Sequence, residues 1–354
     1  MEDTHLYVNY FGLREQPFAP TADPVYFYAT RGHKECLFRL WSSIDERHGI
    51  ALVLGNYGTG KTTVLRKLMT GMAADPERYS TVVVGSPIPS WTSFALLESI
   101  VLQFGLRPAK QSFVDYMEAL NRYLLANRDR ICTLIIDDAQ NLNKRGQVEL
   151  LRLIQNLETP QHKLLNLVLF AQLEWMQVLK AAPNFEQRIN MTCTLPPIHV
   201  EETRHVIEFR LKQSGGDGDL APVFADDAVR VIHAYAEGNP RVIVTICRNA
   251  LLLAGHIGTR RIDEEVVLHT IEKTTVPYPD RRARAVSAAS PQAVQANAHP
   301  DPGAAAPMAG PDAPRPVRTR QHDARDERAS RLLLKAALQK APRNSERPGE
   351  GMLP

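Results

Sequence analysis

An apolar run that ends in a glycine-rich turn constrains this chain more than any other feature. Residues 55–62 read Gly-Asn-Tyr-Gly-Thr-Gly-Lys-Thr, which matches the pattern GxxxxGK[ST], and they follow the apolar run Ile50–Leu54. The three glycines allow a tight turn whose N–H groups face inward, and the next helix presents its positive dipole end to the same place. The pattern therefore predicts a strand, a phosphate-binding loop and a helix, in that order.

We expect this loop to bind the phosphates of ATP. In this pattern Lys61 neutralises the β- and γ-phosphates, and the Thr62 hydroxyl ligates Mg²⁺. The competing interpretation is a glycine-rich turn with an exposed lysine, and the flanking strand and helix signals disfavour it. The predicted nucleotide-binding residues are Gly55, Asn56, Tyr57, Gly58, Thr59, Gly60, Lys61, Thr62 and Thr63.

A second apolar run, Thr133–Ile136, ends in the two carboxylates Asp137 and Asp138. In phosphate-loop ATPases such a pair serves Mg²⁺ and the attacking water. We predict that Asp137 holds Mg²⁺, directly or through water, and that Asp138 orients or deprotonates the water. Acidic pairs often end strands for other reasons. The phosphate loop about 75 residues upstream favours the catalytic interpretation, because αβ units fill that interval.

Strand and helix signals alternate up to Leu195, and the pattern beyond Pro196 is purely helical. Alternation of this kind predicts an α/β domain, a parallel sheet flanked by helices, followed by a small all-α domain. The predicted strands are Ile50–Leu54, Thr81–Gly85, Ile131–Ile136, Leu165–Phe170 and Met191–Leu195. The predicted helices of the second part are Val200–Gln213, Asp226–Ala236, Pro240–Ala254 and Asp263–Thr274.

The chain accordingly divides into three predicted parts. Residues 1–197 form the α/β domain, residues 198–276 form the all-α lid, and residues 277–354 form a basic, Pro/Ala-rich disordered tail. Residues 281–354 carry 13 Lys+Arg and 7 Asp+Glu, so they have a net charge of +6 and residues 1–280 have −3. Within the tail, residues 328–341 could form a short amphipathic helix on a partner, although a transient helix in a solvated tail is favoured.

Composition excludes several classes of protein. The sequence has no run of about 18 apolar residues and no apolar stretch at the N-terminus, so neither a membrane span nor a secretory signal is expected. The four cysteines form no CxxC pair, which indicates free thiols in a reducing compartment. We therefore expect a cytoplasmic protein without an integral membrane span.

Four segments resemble a known family, the general secretion pathway protein A (ExeA-like) ATPases within the AAA+ class. The resemblance covers roughly residues 7–275. The segments are residues 11–33, which include Phe11-Gly-Leu-Arg-Glu-Gln-Pro-Phe18, the phosphate loop, Asp137-Asp-Ala-Gln-Asn-Leu142, and residues 155–172, which begin Gln155-Asn-Leu-Glu-Thr159. The first and last are specific to this family, whereas the phosphate loop is shared widely.

The resemblance implies roles for three further residues. Gln172 matches the sensor-1 position and would contact the γ-phosphate or the attacking water. Arg188 matches the arginine finger that reaches a neighbouring subunit's nucleotide, and Arg241 matches sensor 2 on a lid helix. Guanidinium groups suit this work because they stay charged and grip phosphate oxygens. The alternatives are a strand-end amide, a surface ion pair and an ordinary helix start, respectively.

The chain departs from the family in two ways that bear on function. It has Asp137-Asp138 where the family usually has Asp-Glu, and the shorter side chain leads us to expect slow hydrolysis. Many relatives also continue into a membrane span and a periplasmic region, neither of which is visible here. A smaller change is Ala171-Gln-Leu-Glu174 in place of Gly-Gln-Pro-Glu.

Three functions remain open at this point. The leading prediction is an ATPase that forms homo-oligomers through nucleotide at subunit interfaces and assembles or regulates secretion or surface machinery through a protein partner. The alternative is an ATP-dependent transposition regulator whose basic tail binds DNA, which the negative charge of residues 1–280 disfavours. The third is a module that holds nucleotide without turnover. His33 is expected to be a solvated residue at a helix start, and Phe18 and Tyr26–Tyr28 to be packing residues.

Overall fold

Five strands form the central sheet of the protein. In this computed structural model the described residues are 6–21, 23–215, 223–276 and 278–289. The strands are β1 (Ile50–Gly55), β2 (Tyr79–Val84), β3 (Ile131–Ile136), β4 (Leu165–Ala171) and β5 (Ile189–Leu195). Their order is β2-β3-β4-β1-β5, and all neighbours are parallel. All five predicted strands are therefore present, with ends that differ by a few residues.

Burial along the strands follows their place in the sheet. Every residue of β1, β3 and β4 is buried, because helices cover both faces of a parallel sheet. The edge strand β5 instead buries alternate residues, and Thr192 and Thr194 face solvent. The central strands thus form the buried core of the sheet. Because all strands are parallel, the loops at their carboxyl ends lie along the same edge of the sheet.

Helices flank the sheet on both faces and bury two apolar clusters against it. The first helix, α1 (Leu6–Tyr10), packs against the later helical region, and those that flank the sheet are α2 (Arg31–Asp45), α3 (Lys61–Ala73), α4 (Ser93–Gln103), α5 (Phe113–Ala126), α6 (Arg145–Ile154), α7 (Met176–Lys180) and α8 (Pro183–Glu186). Short 3-10 helices lie at Pro24–Tyr26, Ala139–Asn141 and Leu173–Trp175. Side-chain hydroxyls of Thr30, Thr92 and Ser112 cap α2, α4 and α5.

A second, all-α region follows the sheet. Its helices are α9 (Val200–Gln213), α10 (Asp226–Ala236), α11 (Pro240–Ile257), α12 (Glu264–Thr274) and α13 (Pro279–Ala289). They share one apolar core, which also takes in Tyr7, Val8 and Phe18 from the start of the chain. The N-terminal segment therefore packs with the lid helices, although it precedes the sheet in sequence.

Helix α13 departs from the sequence-based expectation of a tail from residue 277. It packs along α10 through Ala285, which is fully buried, and both Arg281 and Arg284 pair with Glu237. Its small apolar face gives little periodicity in the sequence, because alanine contributes weakly to a hydrophobic pattern. The predicted short helix over residues 328–341 and the rest of the tail lie outside the described residues.

Across the described parts of the chain, no helix has both the length and the apolar character that crossing a bilayer requires.

Candidate nucleotide site

The phosphate loop connects β1 to α3 at the carboxyl edge of the sheet. Gly58 and Gly60 have φ values of 84° and 93°, in the left-handed region that favours glycine. Thr59 Oγ1 donates to the Asn56 oxygen at 2.9 Å, and the Thr63 N–H donates to the Gly60 oxygen at 3.0 Å. These bonds fold residues 55–63, the predicted nucleotide-binding set, into one crown above the start of α3.

Six backbone N–H groups of this crown have no acceptor among the described residues. They belong to Asn56, Tyr57, Gly58, Gly60, Lys61 and Thr62. Unpaired N–H groups at the first turn of a helix attract anions, because the helix dipole adds to their partial charge. The loop is therefore suited to a phosphate chain.

Lys61 is buried under the loop that it follows. Its Nζ donates to the Gly55 oxygen at 2.7 Å and to the Asn56 oxygen at 3.1 Å. Burial lowers the pKa of Lys61, and the carboxylates Asp137 and Asp138 oppose that shift. The ammonium group thus lies beneath the crown. There a phosphate oxygen could replace the two carbonyl oxygens as the acceptor of its hydrogen bonds.

Thr62 and Asp137 bring two oxygen ligands together beside the loop. Thr62 Oγ1 donates to Asp137 Oδ2 at 3.1 Å. Burial raises the pKa of Asp137, while the N–H of Asp138, the Thr62 hydroxyl and Lys61 lower it. A hydroxyl and a carboxylate at this distance fit Mg²⁺, which prefers oxygen ligands and few protein contacts.

Asp138 is held in place by two side chains that the sequence analysis did not identify. Its Oδ2 accepts from Ser86 Oγ at 2.6 Å, and its Oδ1 accepts from Gln140 Nε2 at 2.9 Å. Asp138 also has a φ of 50°, which is uncommon for a residue with a side chain. Ser86 follows the strand next to β3, so a polar residue at a neighbouring strand end was the available signal.

Gln172 lies at the end of β4 and joins this network through its backbone. Its N–H donates to Gln140 Oε1 at 3.2 Å, so the loops after β3 and β4 are linked. The predicted role of its side chain remains a prediction. The site therefore gathers residues from the carboxyl ends of four strands, β1 to β4.

His33 was expected to be solvated, and that prediction is wrong. The residue is only 4% exposed, and its Nε2 lies 2.9 Å from the oxygen of Thr59 in the phosphate loop. Its Nδ1 lies 2.8 Å from Thr30 Oγ1. Burial lowers the pKa of His33, against the hydrogen bond to Thr59 and the charge of Glu202. The ring fills a gap against Gly60 that sequence periodicity does not reveal.

The lid reaches the phosphate loop at the start of α11. Asn239 Oδ1 accepts from the N–H of Arg241 at 3.0 Å and caps the helix. Asn239 Nδ2 donates to the Tyr57 oxygen at 2.7 Å, and Arg241 Nη1 donates to the Tyr57 hydroxyl. The structure thus brings Arg241 to the loop, and its sensor-2 role remains a prediction.

Arg188 lies far from the phosphate loop of its own chain. It precedes β5, whose first residue pairs with Ile50 at the amino end of β1, while the loop leaves the carboxyl end. At about 3.3 Å per residue, β1 separates the two by roughly 17 Å. Arg188 Nη1 donates to Asn156 Oδ1 at 2.6 Å. This residue therefore does not join the site within one chain.

Comparison with known proteins identifies the class of this domain. Residues 44–179 match the family described as AAA domain, and this stretch includes the phosphate loop and both aspartates. The chain thus contains an AAA domain, the class in which the sequence analysis placed it. Over 262 residues it is 34% identical to General secretion pathway protein A of Aeromonas hydrophila, covering 73% of this chain and 46% of that protein. The resemblance inferred from the sequence is confirmed.

A second curated relative is more distant. Over 141 residues the chain is 26% identical to an uncharacterized HTH-type transcriptional regulator of Methanocaldococcus jannaschii, covering 39% of this chain and 34% of that protein. The chain therefore spans less than half the length of either curated relative.

Solved structures confirm the predicted fold class. The ORC2 protein of Aeropyrum pernix, in its ADPNP–ADP complexes, superposes with a TM-score of 0.53 at 18% identity, over 72% of each chain. The ORC1 protein of Aeropyrum pernix in complex with DNA gives a TM-score of 0.52 at 21% identity, over 70% of this chain and 66% of that one. At these identities the likeness concerns the fold, an AAA+ core with a helical domain after it.

Proposed function

We propose that this chain hydrolyses ATP at interfaces between copies of itself and acts as an assembly or regulatory factor for secretion or surface machinery. The main support is that the phosphate loop and Arg188 lie at opposite ends of β1. An arginine that far away serves the nucleotide of a second copy and not its own. The relation to General secretion pathway protein A supports the secretion assignment.

The residues around the loop divide the work of hydrolysis. The free N–H groups of the crown and Lys61 bind the phosphate chain. Asp138 orients a water molecule for in-line attack on the γ-phosphate and accepts its proton, and the bond to the β-phosphate oxygen breaks to leave ADP. When bound, Mg²⁺ would offset the charge of the phosphates, with Thr62 and Asp137 as its protein ligands.

Turnover by this arrangement is expected to be slow. Both oxygens of Asp138 already accept hydrogen bonds, from Ser86 and from Gln140. A water molecule must compete for one of them, and the aspartate reaches one methylene less far than a glutamate would. Displacement of a catalytic group by about 1 Å can reduce a rate on the order of a hundredfold.

The surface beside Arg188 supports an anionic partner. A cavity of about 590 Å³ is lined by Arg145, Gly146, Glu149, Arg152 and Asn184. A hydrogen bond from Arg152, with Arg145 and Arg188 nearby, lowers the pKa of Glu149. Three guanidinium groups around one carboxylate leave a positive surface, which is complementary to the nucleotide-bearing face of a second copy.

Mixing two inactive variants tests the proposed interface. Lys61→Ala removes the phosphate contact, and Arg188→Ala removes the group supplied to the neighbour. Each variant alone should lose most ATP hydrolysis, with ATP binding retained only in Arg188→Ala. A mixture should regain activity, because some interfaces pair an intact loop with an intact arginine. Arg128→Ala, at an exposed position, is the matched control.

Failure to complement would place Arg188 outside the interface. Retained hydrolysis in Lys61→Ala would contradict the phosphate-loop assignment itself. If the unmodified protein binds ATP but never turns it over, the nucleotide-holding function replaces the ATPase proposal.

Duplex DNA separates the secretion assignment from the alternative. We expect ATP hydrolysis to be insensitive to DNA at low and high salt, because residues 1–280 carry a net charge of −3. Stimulation that weakens steeply with salt would favour the DNA-binding function, since phosphate contacts release counterions. We further propose a cytoplasmic location, where ATP is available and the four buried cysteines stay reduced.

A further inference from the structure

The ring of Tyr57 supports the guanidinium group of Arg241 at the mouth of the phosphate loop. Cζ of Arg241 lies 4.7 Å from the ring centroid, and Nη1 donates to the Tyr57 hydroxyl. Tyr57 stands at a variable position of the loop pattern and is 62% exposed. Burial therefore does not explain an aromatic residue at this position.

The backbone of Tyr57 is tied to the same helix start. Asn239 uses one amide to cap α11 and to donate to the Tyr57 oxygen at 2.7 Å. The lid also lies close against Gly58, where an added Cβ would come within 2.4 Å of Asn239 Oδ1 and 3.0 Å of Arg241 Cβ. Contacts with Tyr57 and its neighbour Gly58 therefore hold both the backbone and the side chain of Arg241.

Arg241 carries a charge that the described residues leave uncompensated. Its side-chain hydrogen bond and ring contact both go to Tyr57, and no carboxylate among the described residues pairs with it. Stacking on a ring leaves the N–H donors of a guanidinium at its rim, where they can reach an anion. A planar cation beside the free backbone N–H groups of the loop suits a group with several oxygens, such as a terminal phosphate.

We propose that Tyr57 is a positioning residue whose ring presents Arg241 to the γ-phosphate, so that the lid distinguishes ATP from ADP. This inference rests on the nucleotide site proposed above. The ring restricts the rotamers of a long, exposed side chain before the nucleotide binds, which lowers the entropy lost on contact. ADP lacks the group that Arg241 would reach, so its affinity depends little on Tyr57.

Two substitutions at Tyr57 and one elsewhere test this role on the full chain. Tyr57→Leu should weaken ATP affinity about fivefold and leave ADP affinity within about twofold, by isothermal titration with Mg²⁺. Tyr57→Phe keeps the ring and loses only the hydroxyl that accepts from Arg241, so it should recover most of the ATP affinity that Tyr57→Leu loses. Tyr278→Leu removes a similarly exposed ring with Arg281 5.0 Å above it, and should change neither affinity.

A double variant checks that Tyr57 acts through Arg241. In an Arg241→Ala background, Tyr57→Leu should produce no further loss of ATP affinity, because the supported group is already gone. An undiminished loss in that background would overturn the proposal. Equal weakening of ATP and ADP by Tyr57→Leu would do the same, since it would indicate damage to the loop.

Hydrogen exchange keeps this inference testable if the proposed function fails. Without nucleotide, Tyr57→Leu should speed amide exchange over residues 241–244, at the start of α11, because the lid loses a contact with the loop. Unchanged exchange there would contradict the positioning role. Absence of ATP binding by the unmodified protein would instead contradict the proposed function, while leaving the exchange result to decide the role of Tyr57.

Discussion

His33 and Thr59 join the helix before the sheet to the phosphate loop. The Thr59 oxygen only accepts hydrogen bonds, so His33 Nε2 must carry the proton and donate across 2.9 Å. His33 Nδ1 then accepts from Thr30, whose N–H lies 3.3 Å and whose hydroxyl lies 2.8 Å away. One neutral tautomer satisfies both contacts, whereas a protonated Nδ1 could no longer accept from the Thr30 N–H.

The first prediction is that His33 makes stability depend on pH. Because burial lowers its folded pKa below the usual value of about 6.5, the unfolded chain binds more protons as pH falls below that value. Stability should therefore be present above about pH 6.5 and be lost as pH falls toward the folded pKa. His33→Gln keeps a donor and an acceptor without this titration and should show a shallower loss by urea unfolding at pH 5.5 and 7.5. His48→Gln, on the surface, is the control, and parallel curves for all three proteins would contradict the prediction.

The second prediction concerns the hydrogen bonds that position Asp138. Ser86→Ala removes the donor to Oδ2 and should raise ATP turnover by about fivefold, the equivalent of one ordinary hydrogen bond, with ATP affinity unchanged. Steady-state kinetics over a range of ATP concentrations separate the two effects. Ser90→Ala, in the same loop, should have no effect. Asp138→Asn should reduce turnover about a hundredfold or more, and retained turnover there would remove Asp138 from the mechanism.

The third prediction concerns the close approach of the lid to the loop. Gly58→Ala places a methyl group where Asn239 Oδ1 lies, in a left-handed backbone conformation. We expect a loss of about 1–2 kcal/mol of unfolding free energy and faster exchange at the start of α11. Gly105→Ala, with a φ of 75° and open space around its added Cβ, serves as the matched control. Equal stability of the two variants would show that the lid does not rest on Gly58.

The fourth prediction concerns the docking of α13 on α10. Ala285→Asp buries a carboxylate at a fully buried position and should detach the helix, at a cost of about 2 kcal/mol or more. Trypsin should then cleave after Arg281, Arg282 or Arg284 faster than in the unmodified protein. Ala283→Asp changes an exposed alanine of the same helix and should not alter cleavage. The ion pairs to Glu237 are exposed, so Glu237→Gln should have a small effect.

Much of the fold was predictable because its signals are local. The strands β1, β3 and β4 are continuous apolar runs, and helices α9 and α10 begin and end at the predicted residues. Helix α2 was predicted only as a helix start at His33, with no bounds. Its apolar positions are interrupted by charged residues, and its role comes from a contact 26 residues away in the chain. Helix α13 was not predicted for a related reason. Its buried residue is an alanine, which contributes almost nothing to a hydrophobic pattern.

The candidate site was predictable to the same extent. The roles of residues within one motif, such as Lys61 and Thr62, could be predicted from their spacing. The role of Asp137 could be predicted because an acidic residue follows a buried strand. Ser86 and the stacking of Arg241 on Tyr57 depend on partners 52 and 184 residues away. No local pattern specifies which distant side chain will meet them, so the sequence analysis did not identify these contacts.

By itself the sequence determined the phosphate loop, the strand that leads into it and the acidic pair, because backbone conformation and helix dipoles act over a few residues. Only the tertiary structure decided the rest. The order of strands placed Asp137 beside Thr62, and the separation along β1 removed Arg188 from its own chain's site. The packing of α11 brought Arg241 to Tyr57. Such relations depend on how elements pack across the whole chain, and periodicity records only whether a residue is buried, not what it touches.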